Sequence, residues 1–170
     1  MRTRRFTPLH FMLVALVMAP SLGFGVWSWT RAHTAPEVDF ILIGGEPLSL
    51  SQLRGQTVLV SFWATDCAPC LREMPALARV YDELRAHHFE VIAVAMAHDT
   101  PARIYDFSQR FALPYPIALD LDGKLAQRFG VRAIPRAFLI SPDGEIVADL
   151  VGEIDLHALA EHVQQLEGAS

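Results

Sequence analysis

The chain holds two cysteines, Cys67 and Cys70, in the run Phe62-Trp63-Ala64-Thr65-Asp66-Cys67-Ala68-Pro69-Cys70. The residues before them, Val58 to Trp63, are apolar and β-prone, and those after them, Leu71 to Arg85, have helical spacing. Two thiols two residues apart, between a strand and a helix, can close a small disulfide and open it again. At the start of the helix, Cys67 meets the unpaired N–H groups of the first turn and the positive end of the helix dipole. Both favour a thiolate and lower the thiol's pKa. Cys70 lies three residues on, the same-face spacing of a helix, within reach of a mixed disulfide on Cys67. Cys67 therefore reads as the nucleophile and Cys70 as the resolving thiol. Pro69 removes a backbone donor in the first turn, where no intrahelical partner exists.

Other uses of the pair fit less well. A tetrahedral zinc site needs four ligands, and the chain has no second C-x-x-C and no H-x-x-x-H. A permanent structural disulfide across so short a loop would remove little chain entropy. The seven histidines form no ligand cluster. His87-His88 is expected to end the first helix on its surface. His157 and His162 lie five apart, off one face of the last helix. His98 follows the second buried strand, at the strand end where sites of α/β proteins gather. Met74 and Met96 read as core fillers.

Arg2, Arg4, Arg5 and Arg31 take four of the 14 basic residues and leave 10 against 19 acids beyond residue 31, a net charge near −9. That balance argues against a nucleic-acid partner. Leu9 to Trp29 contains no acid, lysine or arginine. As a helix it would span roughly 30 Å, the thickness of a bilayer core. The arginines before it place the N-terminus in the cytoplasm, and Trp27 and Trp29 suit the far interface. The competing reading is a cleaved signal peptide whose apolar region ends near Pro20, with Ser21-Leu22-Gly23 offered to a peptidase. Both readings put residues from about 35 onward outside the cytoplasm, the first through an inner-membrane anchor. The expected organisation is an anchor over residues 1–31, a linker over 32–39 and one domain over 40–170.

Within the domain, Phe40–Ile43 and Glu46–Ser49 flank Gly44-Gly45 as a β-hairpin. Val58–Trp63 and Phe89–Ala97 read as buried strands. Cys67–Ala86 reads as a helix containing Pro75, with a kink expected there. Pro101–Phe111 and Gly123–Phe129 read as further helices, with a short strand, Ile117–Leu119, between them. Ala137–Ile140 and Ile146–Val151 form a hairpin, and Asp155 caps a last helix to about Leu166. The class is α/β: a central mixed β-sheet flanked by helices, with an N-terminal hairpin and a central insertion.

With these residues in view, the chain resembles the TlpA/ResA-like branch of the thioredoxin superfamily, membrane-tethered thiol–disulfide proteins of bacterial envelopes. The resemblance covers about residues 37–166. It rests on Phe62-Trp63-Ala64-Thr65 leading into Cys67 and Cys70, on Glu73-Met74-Pro75, on the long segment at roughly 98–124, and on Gly130-Val131-Arg132-Ala133-Ile134-Pro135 before Phe138-Leu139-Ile140. It implies a thioredoxin-like fold and a protein disulfide reductase that needs no cofactor or metal. Catalytic roles fall to Cys67, Cys70, Pro135 and Glu73, and substrate contacts to Trp63, Ala68, Pro69 and Ile134. The resemblance gives Ile134-Pro135 a cis peptide bond beside the cysteines, where its backbone can pair with an extended substrate segment. Glu73 can accept the resolving thiol's proton if it is partly buried. The plain alternative is a solvent-facing glutamate paired with Arg72 or Arg79.

The family further implies protein disulfides as substrates, among them apocytochrome c cysteine pairs and copper-site assembly proteins, and a transmembrane thiol–electron transporter as electron donor. Three positions depart from its pattern. Asp66 stands where a tryptophan is usual, and a carboxylate there opposes a Cys67 thiolate, points into solvent or biases partner choice. Ser61 replaces the buried aspartate of thioredoxin itself. Arg136 replaces a common threonine, and its charge favours the thiolate or an acidic partner surface. Two further enzyme classes use the same fold. A disulfide donor or isomerase differs in reduction potential. A peroxidase of the peroxiredoxin type places a threonine where Ala64 stands. A Cu(I) carrier would use both thiolates, yet the C-x-x-C spacing and the lack of a Met/His-rich tract count against it.

Overall fold

The computed structural model describes residues 33–168. The expected span Leu9–Trp29 lies outside them. Among the described residues, no helix is long and apolar enough to cross a membrane.

A six-stranded sheet runs through the domain in the order β1-β8-β7-β4-β5-β6. Its strands are β1 (His33–Thr34), β4 (Thr57–Trp63), β5 (Phe89–Ala95), β6 (Ile117–Leu119), β7 (Arg136–Ile140) and β8 (Glu145–Val151). β4, β5 and β6 are parallel, whereas β7 is antiparallel to β4 and β8 antiparallel to β7. A separate two-stranded hairpin pairs β2 (Asp39–Ile41) with β3 (Pro47–Ser49). Four helices complete the domain: α1 (Ala68–Leu84), α2 (Pro101–Arg110), α3 (Lys124–Arg128) and α4 (Leu156–Glu167).

Every residue of β4 is buried, and the period of two divides its side chains between two cores. Leu59 and Trp63 face α1 and α4, packing with Cys70, Met74, Leu77 and Val163. Val58, Val60 and Phe62 face the hairpin and α3, packing with Phe40, Leu50, Leu53 and Phe129. On α1 the buried positions are 70, 73, 74, 77, 81 and 84, one stripe at helical spacing. The helix runs through Pro75 from Ala68 to Leu84 and hands over to a single 3-10 turn, Arg85–His87.

The expected elements are present, with some bounds shifted by one or two residues in either direction. The linker expected over 32–39 is corrected. His33 and Thr34 pair with Ile146 and Glu145 of β8, Ala35 is buried, and its N–H donates to the Gly144 carbonyl. So short a strand carries no periodicity of its own, and its place is set by the β8 edge that it covers. A 3-10 turn at Leu50–Leu53, also unforeseen, buries two leucines against the second core.

Candidate active site

The two cysteines sit at the C-terminal end of β4, where the chain turns into α1. Cys67 is the N-cap of that helix, in extended conformation, and its Sγ accepts the Cys70 N–H at 3.3 Å. Ala68 and Pro69 fill the first two helical positions, and the proline takes a slot whose N–H needs no partner. A disulfide joins Cys67 to Cys70, with Cα atoms 5.3 Å apart. The two sulfurs differ in access: Cys70 is 1% exposed, inside the α1 core, whereas Cys67 is half-buried and reaches the surface. An attacking or attacked thiol can therefore approach Cys67.

Three elements surround that corner. The β4–β7 register pairs Phe62 with Arg136, so one step further sets Pro135 opposite Trp63. The Ile134–Pro135 bond is cis, and both residues are half-buried. The Pro135 carbonyl accepts the Gly152 N–H at 3.0 Å, which joins this loop to the end of β8. On the other side, β5 pairs Ala95 with Trp63, and the chain after it, Met96 to Thr100, passes the residues leading into Cys67. Ala68 is exposed and Pro69 half-buried, on the rim beside Cys67.

Trp63, expected as a substrate contact, is corrected. It is 1% exposed, its ring lies 5.3 Å from Phe107 of α2, and its indole N–H has no acceptor. The inward face of a central strand holds it beneath the site. Glu73 is not the solvent-facing residue of the plain alternative. It lies on the buried stripe of α1 one turn after Cys70, 8% exposed, and its Oε2 accepts the Ile154 N–H at 2.6 Å. Burial pushes its pKa up, the Ile154 hydrogen bond opposes the shift, and the Glu153 charge adds to it. Neighbouring Tyr115 is also pushed up, by burial first and the Glu73 charge second, and its hydroxyl donates to the Met74 carbonyl at 3.1 Å. Arg72 pairs with Glu153, not with Glu73.

Arg136 does not present a free charge. Its guanidinium forms two bonds to the Asp149 carboxylate, at 2.9 and 2.7 Å, and stacks over Phe138 at 5.2 Å. The antiparallel β7–β8 pairing brings the two together. Ser61, in the place of a buried acid, is 6% exposed. His98 is exposed, and its Nε2 lies 3.2 Å from Asp66 Oδ1.

Sequence reasoning missed Asp99. Its side chain is 1% exposed. The carboxylate accepts the Thr65 N–H at 2.5 Å, the Thr65 hydroxyl at 2.9 Å and the Thr100 N–H at 2.8 Å. It thereby clamps the loop that delivers Cys67. The available signal was Asp99-Thr100-Pro101, an acid and a hydroxyl before a proline that opens a helix.

A thioredoxin-like corner with a redox-capable pair is thus complete, and the wider comparisons agree with it. Residues 32–149 match the model of the AhpC/TSA family. The chain belongs to the AhpC/TSA family. Within reach of this AhpC/TSA chain are proteins named thiol-disulfide oxidoreductase ResA. That of Bacillus thuringiensis subsp. konkukian (strain 97-27) is 26% identical over 166 residues, 93% of this chain and 95% of the relative. That of Bacillus subtilis (strain 168) is 28% identical over 147 residues, 82% of each. Among solved structures, StoA from Bacillus subtilis superposes with a TM-score of 0.66 at 27% identity, covering 75% of this chain and 96% of StoA. The ResA-like resemblance and the thioredoxin-like fold expected from the sequence are borne out.

Proposed function

We propose that this chain is a thiol–disulfide oxidoreductase working as a protein disulfide reductase outside the cytoplasm. The observation that carries the reading is the asymmetry of the pair: a surface-reaching Cys67 capped by a helix N–H, bonded to a buried Cys70. In the reduced protein, the Cys67 thiolate attacks one sulfur of a substrate disulfide. A mixed disulfide forms, and the first substrate thiolate leaves and takes up a proton. Cys70 then gives up its proton and attacks Cys67 Sγ. The mixed disulfide breaks, the second substrate thiolate leaves and is protonated, and Cys67–Cys70 is oxidised. Two electrons and two protons pass from the dithiol to the substrate.

Glu73 is the acceptor assigned to the Cys70 proton. Its place one turn along the same buried face and its raised pKa support that role. The Ile134–Pro135 backbone and the rim at Ala68 and Pro69 are assigned to the substrate segment. The names of the ResA relatives support the reaction class. The apolar run Leu9–Trp29 behind three arginines supports an inner-membrane anchor with the domain on the far, periplasmic side. In that oxidising compartment the dithiol needs an outside reductant, for which a transmembrane thiol–electron transporter is the fitting class. Cytochrome c or copper-site maturation is the proposed setting.

The test is the reduction potential of the full chain in thiol redox buffers. A value near thioredoxin's, about −270 mV, supports the reductase. A value near about −120 mV makes the protein a disulfide donor and overturns the proposal.

A further inference from the structure

Asp66 puts a carboxylate directly before the reactive cysteine. It is 59% exposed, and among the described residues the ionisable group within ion-pair distance is His98, whose Nε2 stands 3.2 Å from Oδ1. The loop that carries His98 is held in place independently. The Met96 N–H donates to the Trp63 carbonyl at 2.9 Å, which continues the β4–β5 pairing past the end of the strand. Asp99, next to His98, then grips Thr65, next to Asp66, through a backbone N–H and a hydroxyl. Two consecutive residues of one loop thus meet two consecutive residues of the other, with the buried contact fixing the exposed one.

Several other charges of this corner have partners of their own. Asp99 bonds Thr65 and Thr100 and has Arg103 of α2 at 3.9 Å. Arg72 pairs with Glu153, and Arg136 with Asp149. Asp66 and His98, both exposed, are left facing each other, while Glu73 lies on the buried side one turn past Cys70. With a neutral imidazole the pair carries one negative charge beside Cys67, and with an imidazolium it carries none. Histidine is the side chain that makes this change between about pH 5 and 8.

We propose that Asp66 and His98 form a charge couple that sets the reactivity of Cys67, with His98 as a positioning residue for the dithiol reaction. The proposal rests on the reading of Cys67 as the attacking thiol. The Asp66 carboxylate disfavours the thiolate. Protonated His98 cancels that charge, so the thiolate fraction falls less steeply on acidification than that of a thiol beside a lone carboxylate.

The experiment measures alkylation of Cys67 by iodoacetamide in the full chain carrying Cys70→Ser, so that one thiol reacts. At about pH 6, His98→Gln is expected to slow alkylation roughly threefold and Asp66→Asn to speed it roughly threefold, the scale of one unit charge at a solvated site. At higher pH, as the imidazole loses its proton, the His98→Gln effect vanishes, while His98→Lys, which stays cationic, is faster than its parent. In the Asp66→Asn background at the lower pH, His98→Gln again slows alkylation, and the double variant returns to the rate of its parent because both charges are gone. The proposal is overturned if His98→Gln has no effect at the lower pH, or if the double variant differs there from its parent by as much as either single variant does. Insulin-disulfide turnover by the unmutated chain separates the two ideas. Absent turnover with an intact charge couple refutes the reductase reading alone, and normal turnover with no couple refutes this inference alone.

Discussion

Removing the Asp99 carboxylate tests whether a buried clamp, and not chain propensity, holds the loop that delivers Cys67. Asp99→Ala strands three donors: the Thr65 N–H, the Thr65 hydroxyl and the Thr100 N–H. Hydrogen bonds to an ionised acceptor contribute about 1.5–3 kcal/mol each, and the penalty is greatest where water cannot replace the lost partner. Thr100 is exposed and its N–H can turn to solvent, whereas the half-buried Thr65 N–H cannot do so freely. The expected loss is therefore about 3 kcal/mol, well below the sum of three separate bonds. Thr65→Ala removes the hydroxyl bond alone and keeps the backbone one, so about 1.5 kcal/mol, the low end of that range, is expected. Urea unfolding of the oxidised protein, read by circular dichroism, gives both values from midpoints at an unchanged slope. A loss under about 1 kcal/mol for Asp99→Ala would refute the clamp. Equal losses for the two variants would show that the hydroxyl, not the backbone N–H, carries the contact.

The other predictions are shorter. Cys67→Ser lowers insulin-disulfide turnover to background, and Cys70→Ser accumulates mixed disulfides with protein partners on non-reducing gels; adducts forming on the Cys67→Ser chain instead would reverse the assigned roles. Glu73 has its pKa raised in the fold, so the stability it contributes is present below the ordinary carboxylate range and is lost as pH rises through the raised value. Glu73→Gln keeps an acceptor for Ile154 and escapes that loss, so its melting temperature relative to the parent rises between about pH 4 and pH 8. A flat difference would show that Glu73 titrates normally. Asp155 accepts the His157 and Ala158 N–H groups at 3.0 and 3.1 Å; Asp155→Ala should cost about 1 kcal/mol in urea unfolding, the ordinary worth of an N-cap.

Much of the site was readable in advance because its signals are local. Cys67 as N-cap, Pro69 in the first turn and Asp155 before the last helix follow from rules that act within one helical turn. Glu73 was readable in part: it falls on the stripe at 70, 74, 77, 81 and 84, yet a glutamate on an apolar stripe gives no hint of the acceptor role that the Ile154 N–H reveals. Trp63 was misplaced because aromatic residues beside a reactive cysteine suit both a rim and a core, and the face of β4 decides between them. Arg136 carried the expected charge but not the expected freedom, since its partner Asp149 sits 13 residues away on a neighbouring strand.

The sequence alone determined the chemistry and its frame: a dithiol at a strand-to-helix corner, between alternating buried strands and amphipathic helices, whereas the place of the proline loop beside it was implied by the family resemblance. The corner and its flanking elements depend on periodicity, capping and spacing, all short-range along the chain. Tertiary structure decided which sulfur reaches solvent, how deep Glu73 lies, and that Asp99 and His98 close on Thr65 and Asp66 from 34 and 32 residues away. Such contacts arise when β4 and β5 pair in one register, and a one-residue slip would turn each side chain to the opposite face. Burial and charge pairing are properties of that packing, so no local pattern could have specified them.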